Sequence, residues 1–432
     1  MKILPTAPQG LQGTLQVPGD KSISHRALMI GSISEGETQI ENFLTGEDCL
    51  STLQAFRDLG VQIEQTGTQV TIHGVGLRGL KAASHPLDMG NSGTTTRLMM
   101  GLLAGQPFES HLTGDDSLQK RPMKRVAEPL SQFGGRIDLS PAGTLPATVI
   151  GQPLHATNYQ LKVASAQVKS ALILAALQAD GPSTIKELLP TRNHTEIMLR
   201  QFGAEIETAS DGLTITVQPQ PKLRGQSVVV PSDISSAAFF LVAGAITPNS
   251  TITLTNVNLN PTRTGILQVL QKMQADLRIT SKPSDGEPLG DLTIRTSDLA
   301  PIEIGAADIP AVIDELPLVA LLAARAQGQS VIRGAEELRV KETDRIATVV
   351  AELRKLGVTV EELPDGMIIQ GRPAWDIQDH QLDSYGDHRL GMMNAIAALT
   401  ADEQLTLANE AAIKVSYPTF FADLDHLLGG QA

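Results

Sequence analysis

The run G-D-K-S-I-S-H-R, Gly19 to Arg26, places three basic side chains, Lys21, His25 and Arg26, in front of or within the start of the apolar stretch Ala27-Leu28-Met29-Ile30. That stretch reads as a helix, with Ser22 or Ser24 as its cap. Cations are disfavoured at such a position, because a helix start already carries the positive end of the backbone dipole. They become favourable when an anion lands between them, since the same helix start offers free N–H groups. The chemistry this spacing suits is recognition of a small anion.

Similar polar groups precede five more apolar helices. Asn91, Ser92, Gly93 and Thr94 lead into T-R-L-M-M-G-L-L, and Ser165, Gln167 and Lys169 lead into S-A-L-I-L-A-A-L. Asp233 and Ser235, Asp314 and Glu315, and Asp387, His388 and Arg389 stand before the remaining three. Taken singly, most of these residues are ordinary helix caps. Caps do not explain the cations, which gather again at Arg121 in R-P-M, in R-V-K-E-T-D-R from Arg339 to Arg345, and at Lys414. In R-V-K-E-T-D-R three cations interleave with Glu342 and Asp344, and Lys341 and Arg345, four apart, are expected to share a helix face.

The elements that must carry these groups recur six times. Each copy is a small-residue-rich apolar helix, a turn containing Gly, Pro, Asp or Asn, and a short strand, at a spacing of roughly 70 to 80 residues, longer than common solenoid repeats. Between copies lies an amphipathic helix closing on Leu, followed by an alternating strand and another strand; L-Q-A-F-R-D-L-G-V-Q-I-E from Leu53 and L-R-K-L-G-V-T-V-E-E from Leu353 are two examples. The period switches from helical to alternating at each Gly or its equivalent. Each repeat thus reads as two helices and about four strands, and six repeats predict three per domain. Because the first helix of each repeat is apolar nearly all round, it is expected to be buried, with the sheets outside it.

The chain of 432 residues is too long for one ordinary core, so two domains are expected. Hydrophobic residues at 41% and charged residues at 19% fit a globular chain. A net charge of -13 and only 3% aromatic residues argue against nucleic acid as a partner. Any anion site must be a local basic focus in an acidic chain. Cys49 is the single cysteine, which excludes an intramolecular disulfide and a multi-cysteine zinc site and suits a reducing cytoplasm. The first ten residues lack a long apolar core of the signal-peptide kind, and the longest apolar stretches, such as Ala237 to Ile246, fall short of the roughly 20 residues of a membrane span. G-V-G-L-R-G, Gly74 to Gly79, matches a dinucleotide fingerprint but is not followed by a periodic helix; near Lys21, Asp20 interrupts a near-match to a P-loop. No metal site is expected from the nine histidines, which show no H-E-x-x-H pairing.

Taken together, G-D-K-S-I-S-H-R, G-N-S-G-T-T-T-R, R-P-M, S-A-Q-V-K-S-A, D-E-L-P, R-V-K-E-T-D-R and D-H-R resemble, in order and along the whole chain, the motifs of the EPSP synthase family (3-phosphoshikimate 1-carboxyvinyltransferases). The resemblance implies a two-domain α/β fold of the enolpyruvyl transferase kind, an inside-out barrel with three repeats per domain. Its domains would be residues 1–18 with 232–432, and 19–231, with the active site in the cleft between them. It implies transfer of the enolpyruvyl group of phosphoenolpyruvate to the 5-hydroxyl of 3-phosphoshikimate, with release of phosphate. Lys21, Ser22, Arg26, Ser165, Gln167, Arg192, Asp314 and Lys341 would then hold phosphoshikimate. Lys21, Asn91, Gly93, Arg121, Gln167, Glu342, Arg345, Arg389 and Lys414 would surround phosphoenolpyruvate. Asp314, Glu342 and Lys21 would be the catalytic groups, Asp314 accepting the proton of the 5-hydroxyl and Glu342 moving protons at the methylene carbon. No cofactor is implied beyond activation by a monovalent cation; glyphosate is implied as an inhibitor, and a cytoplasmic monomer is expected. S-A-Q-x-K and R-x-H-x-E resemble the class II subgroup, which includes glyphosate-tolerant members, whereas Gly93 is the small residue of sensitive ones. The sister enzyme acting on UDP-N-acetylglucosamine is the alternative; it usually carries a reactive Cys in the loop that here reads T-G-D-D-S-L-Q-K-R-P-M, which has none. A non-catalytic repeat scaffold would scatter its polar residues instead of collecting them at helix starts.

Overall fold

The computed structural model describes residues 1–284 and 286–429. The chain forms two compact units, one from Met1–Pro18 with Pro231–Ala432 and the other from Gly19–Val230. Each has its own apolar core. The second crossing falls between Val230 and Pro231, one residue before the position read from the sequence.

Two kinds of helix alternate. In the Gly19–Val230 unit the buried ones are α1 (Lys21–Ser32), α3 (Gly93–Leu103) and α5 (Ala166–Ala176), and the amphipathic ones are α2 (Glu47–Asp58), α4 (Lys124–Gln132) and α6 (His194–Gln201). In the other unit α7 (Ile234–Ile246), α10 (Leu316–Arg325) and α12 (His388–Ala398) are buried, while α8 (Gly265–Lys272), α11 (Arg345–Lys355) and α13 (Phe420–Leu427) flank them, with a short α9 (Ile309–Val312) before α10. Every residue of α12 is buried, and all of α1 from Ile23 onward. Such helices gain their stability from burial on all sides, which explains why they are built from Ala, Leu, Met and Gly with few long polar side chains.

The amphipathic helices end alike. The N–H of Val61, Gly135, Ala204, Ala275 and Val358 returns to the carbonyl of Phe56, Leu130, Leu199, Leu270 and Leu353, respectively, at 2.8–3.0 Å. This is the Schellman closure, and it needs a left-handed residue one position earlier. Gly60, Gly134, Gly203 and Gly357 supply it, and Gln274 takes it at φ 65 in the one copy without glycine. Leu-x-x-(Leu/Phe)-Gly at Leu130, Leu199 and Leu353 is this turn, with Phe56–Gly60 and Leu270–Gln274 as its variants.

The sheets repeat as well. Ser227–Val229 runs parallel to Glu35–Glu41, which is antiparallel to Gln69–Val75, itself antiparallel to Gln62–Thr66. The same order recurs around Glu109–Thr113, Ser183–Lys186, Thr251–Asn258 and Gly328–Ile332. The sixth sheet departs from the expected four strands. Thr406–Ala408 pairs in parallel with Gln381–Asp383, and the N-terminal strand Lys2–Ile3 takes the antiparallel place that a hairpin fills elsewhere. No sheet among the described residues closes on itself, because each repeat is hydrogen-bonded within its own strands. "Barrel" therefore applies only to the layering, helices inside and sheets outside.

At the crossings the leading strands stay behind. Gln12–Leu15 precedes α1 in the chain but pairs with Thr251–Asn258 of its own unit. Ser227–Val229 precedes α7 but pairs with Glu35–Glu41. Gly19 marks the first crossing, where a Cβ would lie 1.9 Å from the Asn42 carbonyl oxygen, so no side chain fits.

The segment Gly74–Gly79 proves structural. The Arg78 guanidinium donates to the carbonyls of Gly105 and Gln178, just beyond α3 and α5, where helix ends leave acceptors open. The buried Gln106 and Gln178 amides are joined beside it at 2.7 Å.

Candidate active site

In the Gly19–Val230 unit the polar residues of the motifs collect at the starts of α1, α3 and α5. The cap of α1 is Asp20, whose carboxylate accepts from the Ile23 N–H at 3.0 Å, so neither Ser22 nor Ser24 caps it. The Ser24 hydroxyl is buried and accepts from Leu44 N–H instead. Asp20 wins because an anion one residue ahead of Lys21 also answers the dipole and the cation. Lys21 opens the helix and pairs with Asp48 Oδ2 at 3.2 Å. His25 is not a third cation. Burial, with Lys21 and Arg26 close by, lowers its imidazole to about 3 against the pull of Asp48. Its Nδ1 lies 2.7 Å from Thr52 Oγ1, and a hydroxyl chain continues through Thr95 to Ser92, the cap of α3.

Arg26 is buried and held from three sides. Nε donates to Thr195 Oγ1 at 2.7 Å, one terminal nitrogen to the Ser22 carbonyl at 2.9 Å and the other to Ser170 Oγ at 2.9 Å. Ser165 caps α5 by accepting from Val168 N–H. At the second position of that helix, the Gln167 amide takes a hydrogen bond from Arg97 and donates to Thr94 Oγ1 at 3.0 Å, tying α3 to α5. Arg121 donates to Asn91 Oδ1 at 2.9 Å, and Asn91 donates in turn to Asp115 Oδ2 at 2.7 Å. A Cβ on Gly93 would sit 3.2 Å from an Arg97 nitrogen and 3.4 Å from an Arg121 nitrogen, so Gly93 lies directly under two guanidinium groups. Arg192 is half-buried in the segment leading to α6. Cys49, in the first turn of α2, is buried with its thiol 3.8 Å from the Lys21 carbonyl.

In the other unit the focus lies at the starts of α10, α11 and α12. Asp387 caps α12, accepting from Arg389 N–H at 2.8 Å. The same carboxylate receives Arg345 bidentately, from Nε at 2.7 Å and from a terminal nitrogen at 3.2 Å, and Arg345 also reaches Glu342 at 2.7 Å. Burial alone would weaken the Arg345 charge; Asp387 and Glu342 more than restore it, leaving the guanidinium above its ordinary value. Burial would likewise raise Asp387, but Arg345, then His388, hold it below the usual carboxylate range. Arg389 donates to the Asp314 carbonyl at 2.7 Å and stands 3.7 Å from Glu315 Oε1. Burial raises the Glu315 carboxyl in spite of Arg389 and Arg263, and its oxygen accepts from Ser235.

Lys341 and Arg345 do not share a helix face. Glu336–Val340 is a 3₁₀ turn, Lys341 is extended at ψ -153, and α11 begins only at Arg345, capped by Asp344. The break follows from Asp344, which binds Ala347 N–H at 3.1 Å and so starts the helix one residue later. Burial pushes the Lys341 ammonium below its ordinary value, although Asp314 and Glu337 counter it. Lys414 is exposed in the 3₁₀ segment Glu410–Val415.

Several partners escaped the reading from sequence. Asp48, Thr195 and Ser170 hold recognised cations and Asp115 holds Asn91, yet each looks like an ordinary helix or turn residue. The partners of Lys169, Glu187 and Glu196, carry the clearest missed signal: a charge abutting the apolar run S-A-L-I-L-A-A-L must be buried, and a buried ammonium must be paired. Among the described residues there is no group of three or more His, Cys, Asp and Glu side chains able to hold a metal, and no helix long and apolar enough to cross a membrane.

Comparison with known proteins agrees with the motifs. The family model described as EPSP synthase (3-phosphoshikimate 1-carboxyvinyltransferase) matches residues 5–424. A 3-phosphoshikimate 1-carboxyvinyltransferase of Lactiplantibacillus plantarum is 58% identical over 421 residues, covering 98% of this chain and 97% of the relative. That of Limosilactobacillus fermentum is 59% identical, covering 98% of each. Among solved structures, EPSP synthase from Acinetobacter baumannii superposes with a TM-score of 0.88 at 44% identity, over 99% of this chain and 97% of that one. The enolpyruvyl transferase NikO from Streptomyces tendae shares the fold, with a TM-score of 0.77 at 17% identity over 99% and 97% of the two chains. With its motif residues gathered at the starts of buried helices and a family match running from residue 5 to residue 424, the chain belongs to the EPSP synthase family.

Proposed function

We propose that this chain transfers the enolpyruvyl group of phosphoenolpyruvate to the 5-hydroxyl of 3-phosphoshikimate, and that the residues of the two foci hold both substrates. The observation that carries the reading is the company each focus keeps. Cations stand at helix starts in both units, and the carboxylates of Asp314 and Glu342 lie among the cations of one of them. Two polyanionic substrates need such cations, and a proton-moving reaction needs such carboxylates.

Ser22, Arg26, Ser165, Gln167, Arg192 and Lys341 bind phosphoshikimate, and Asn91, Gly93, Arg121, Arg345, Arg389 and Lys414 surround phosphoenolpyruvate, with Lys21 and Gln167 touching both. Protonation of the methylene carbon makes C2 electrophilic; the 5-hydroxyl oxygen adds to C2 as Asp314 takes its proton. Collapse of the tetrahedral adduct returns a proton from the new methyl group to Glu342 and expels phosphate. Guanidinium groups neutralise the carboxylate and the departing phosphate bidentately. The chain works without a resident cofactor and as a cytoplasmic monomer; its single buried cysteine suits a reducing compartment. Glyphosate, a small anion, inhibits the reaction, and a monovalent cation raises activity. The sister reaction on UDP-N-acetylglucosamine has no support in the names of the full-length relatives.

A phosphate-release assay with both substrates tests the reading. Release is expected to require both, and Asp314→Ala to lower kcat by about 10² to 10⁴. Absence of release from the purified protein, or wild-type turnover by Asp314→Ala, overturns it.

A further inference from the structure

Lys169 lies in the first turn of α5 and is only 1% exposed. Its ammonium meets Glu196 Oε1 at 2.8 Å, Glu187 Oε2 at 2.9 Å and the Thr191 carbonyl at 3.2 Å. Three acceptors match the three N–H donors of an ammonium. Glu187 follows the strand Ser183–Lys186, Glu196 lies in the first turn of α6, and Thr191 lies between them and donates to Glu187. One side chain of α5 therefore pins both ends and the middle of the segment that carries Arg192.

The neighbouring residue on each helix completes the pattern. Ser170 and Thr195 are hydrogen-bonded to each other at 2.7 Å, and both accept from the Arg26 guanidinium. The Lys169–Glu196 pair thus fixes the approach of α5 to α6, and that approach brings together the two hydroxyls that orient Arg26. Buried ion sets of this kind add little stability over well-packed apolar side chains of equal volume. Their use here is geometric.

We propose that Lys169, Glu187 and Glu196 form a positioning set that holds Arg26 and Arg192 in register for phosphoshikimate, and so governs the affinity for that substrate and not for phosphoenolpyruvate. The proposal rests on the reading that Arg26 and Arg192 face phosphoshikimate. It also joins two motifs read separately in the sequence: the Lys of S-A-Q-V-K and the Glu of R-N-H-T-E are one ion pair.

Steady-state kinetics of Glu196→Gln, Lys169→Met and Thr195→Val, with each substrate varied in turn, test it. Glu196→Gln keeps shape and removes one charge. It is expected to raise the KM for phosphoshikimate about tenfold, the effect of one charge-assisted hydrogen bond, and to leave the KM for phosphoenolpyruvate within about twofold. Thr195→Val, which acts on Arg26 from the other side, is expected to give the same split; together these two variants carry the test if Lys169→Met does not fold. An unchanged KM for phosphoshikimate in both, or equal rises for both substrates, overturns the proposal while wild-type turnover still upholds the function. A wild-type protein that releases no phosphate overturns the function itself.

Discussion

The buried pair Arg345–Asp387 offers the sharpest test of how the second focus is held. Asp387→Asn removes the charge but keeps a side chain that caps a helix as well as aspartate does, so α12 retains its cap and only the ion pair is lost. Arg345 is 1% exposed and Asp387 is 0% exposed, and the pair makes two direct contacts, at 2.7 and 3.2 Å. Removing one partner of such a pair costs about 3 to 5 kcal/mol, because the remaining charge stays buried. Glu342, 2.7 Å from Arg345, still compensates it, which places the loss at the lower end, about 3 kcal/mol. For a unit of this size that corresponds to a fall in Tm of about 6 to 12 °C. The assay is urea unfolding followed by tryptophan fluorescence. Trp375 is the only tryptophan, and it packs in the same unit, its indole N–H on the Ala324 carbonyl. The sign with pH also follows. Asp387 is held below the ordinary carboxylate value in the folded state, so its contribution is complete above the unfolded value of about 4 and fades as pH falls through the lower folded value. The gap between wild type and variant must therefore narrow in acid. A difference under about 0.5 kcal/mol at neutral pH, or one that widens in acid, refutes the argument.

Three further outcomes follow from the geometry. Gly93→Ala crowds the Arg97 and Arg121 guanidinium groups at 3.2 and 3.4 Å; the KM for phosphoenolpyruvate should rise about tenfold, with the unfolding midpoint nearly unchanged because both neighbours are ends of flexible side chains. His25 is neutral when folded, with its imidazole lowered to about 3, so the unfolded chain binds the extra proton and stability falls as pH drops below about 6.5. In His25→Asn, the slope of stability against pH between 6 and 4, read by circular dichroism in urea, should flatten by up to about 1.4 kcal/mol per pH unit. Arg78→Met uncaps the carbonyls of Gly105 and Gln178 and should cost about 1 kcal/mol in urea unfolding while both KM values stay at wild type.

The repeats were legible because their signals are local. All-round apolarity marks the six buried helices, and a glycine closing an amphipathic helix marks four of the five Schellman turns, Gln274 taking its place in the fifth. The recognised cations were legible because they break the rule for helix starts. What stayed hidden is the choice the fold makes between competing contacts, near and far in the chain. Asp20 outcompetes Ser22 as a cap because it also offsets Lys21, and only the fold shows that the carboxylate reaches Ile23 N–H. Lys341 looks helical by spacing, but Asp344 starts α11 afresh. The charge on His25 is lost to burial, and Lys169 acquires its role from Glu187 and Glu196, 18 and 27 residues away. The third strand of the sixth sheet could not be read, since it is Lys2–Ile3, at the far end of the chain from Thr406–Ala408.

The leading strands left behind at the crossings impose an order on vectorial synthesis. All the strands of the Gly19–Val230 unit lie within one uninterrupted stretch, so this unit can mature while the ribosome is still translating the rest. Gln12–Leu15 has no such option. Leu11 bonds to Ser250, 239 residues later, and at ribosomal rates that partner emerges on the order of 10 to 50 s afterwards. During that interval a nascent segment of backbone donors and acceptors sits beside an already maturing neighbour. Its short Gln-Gly-Thr-Leu sequence, polar and interrupted by glycine, is a poor template for wrong partners while it waits.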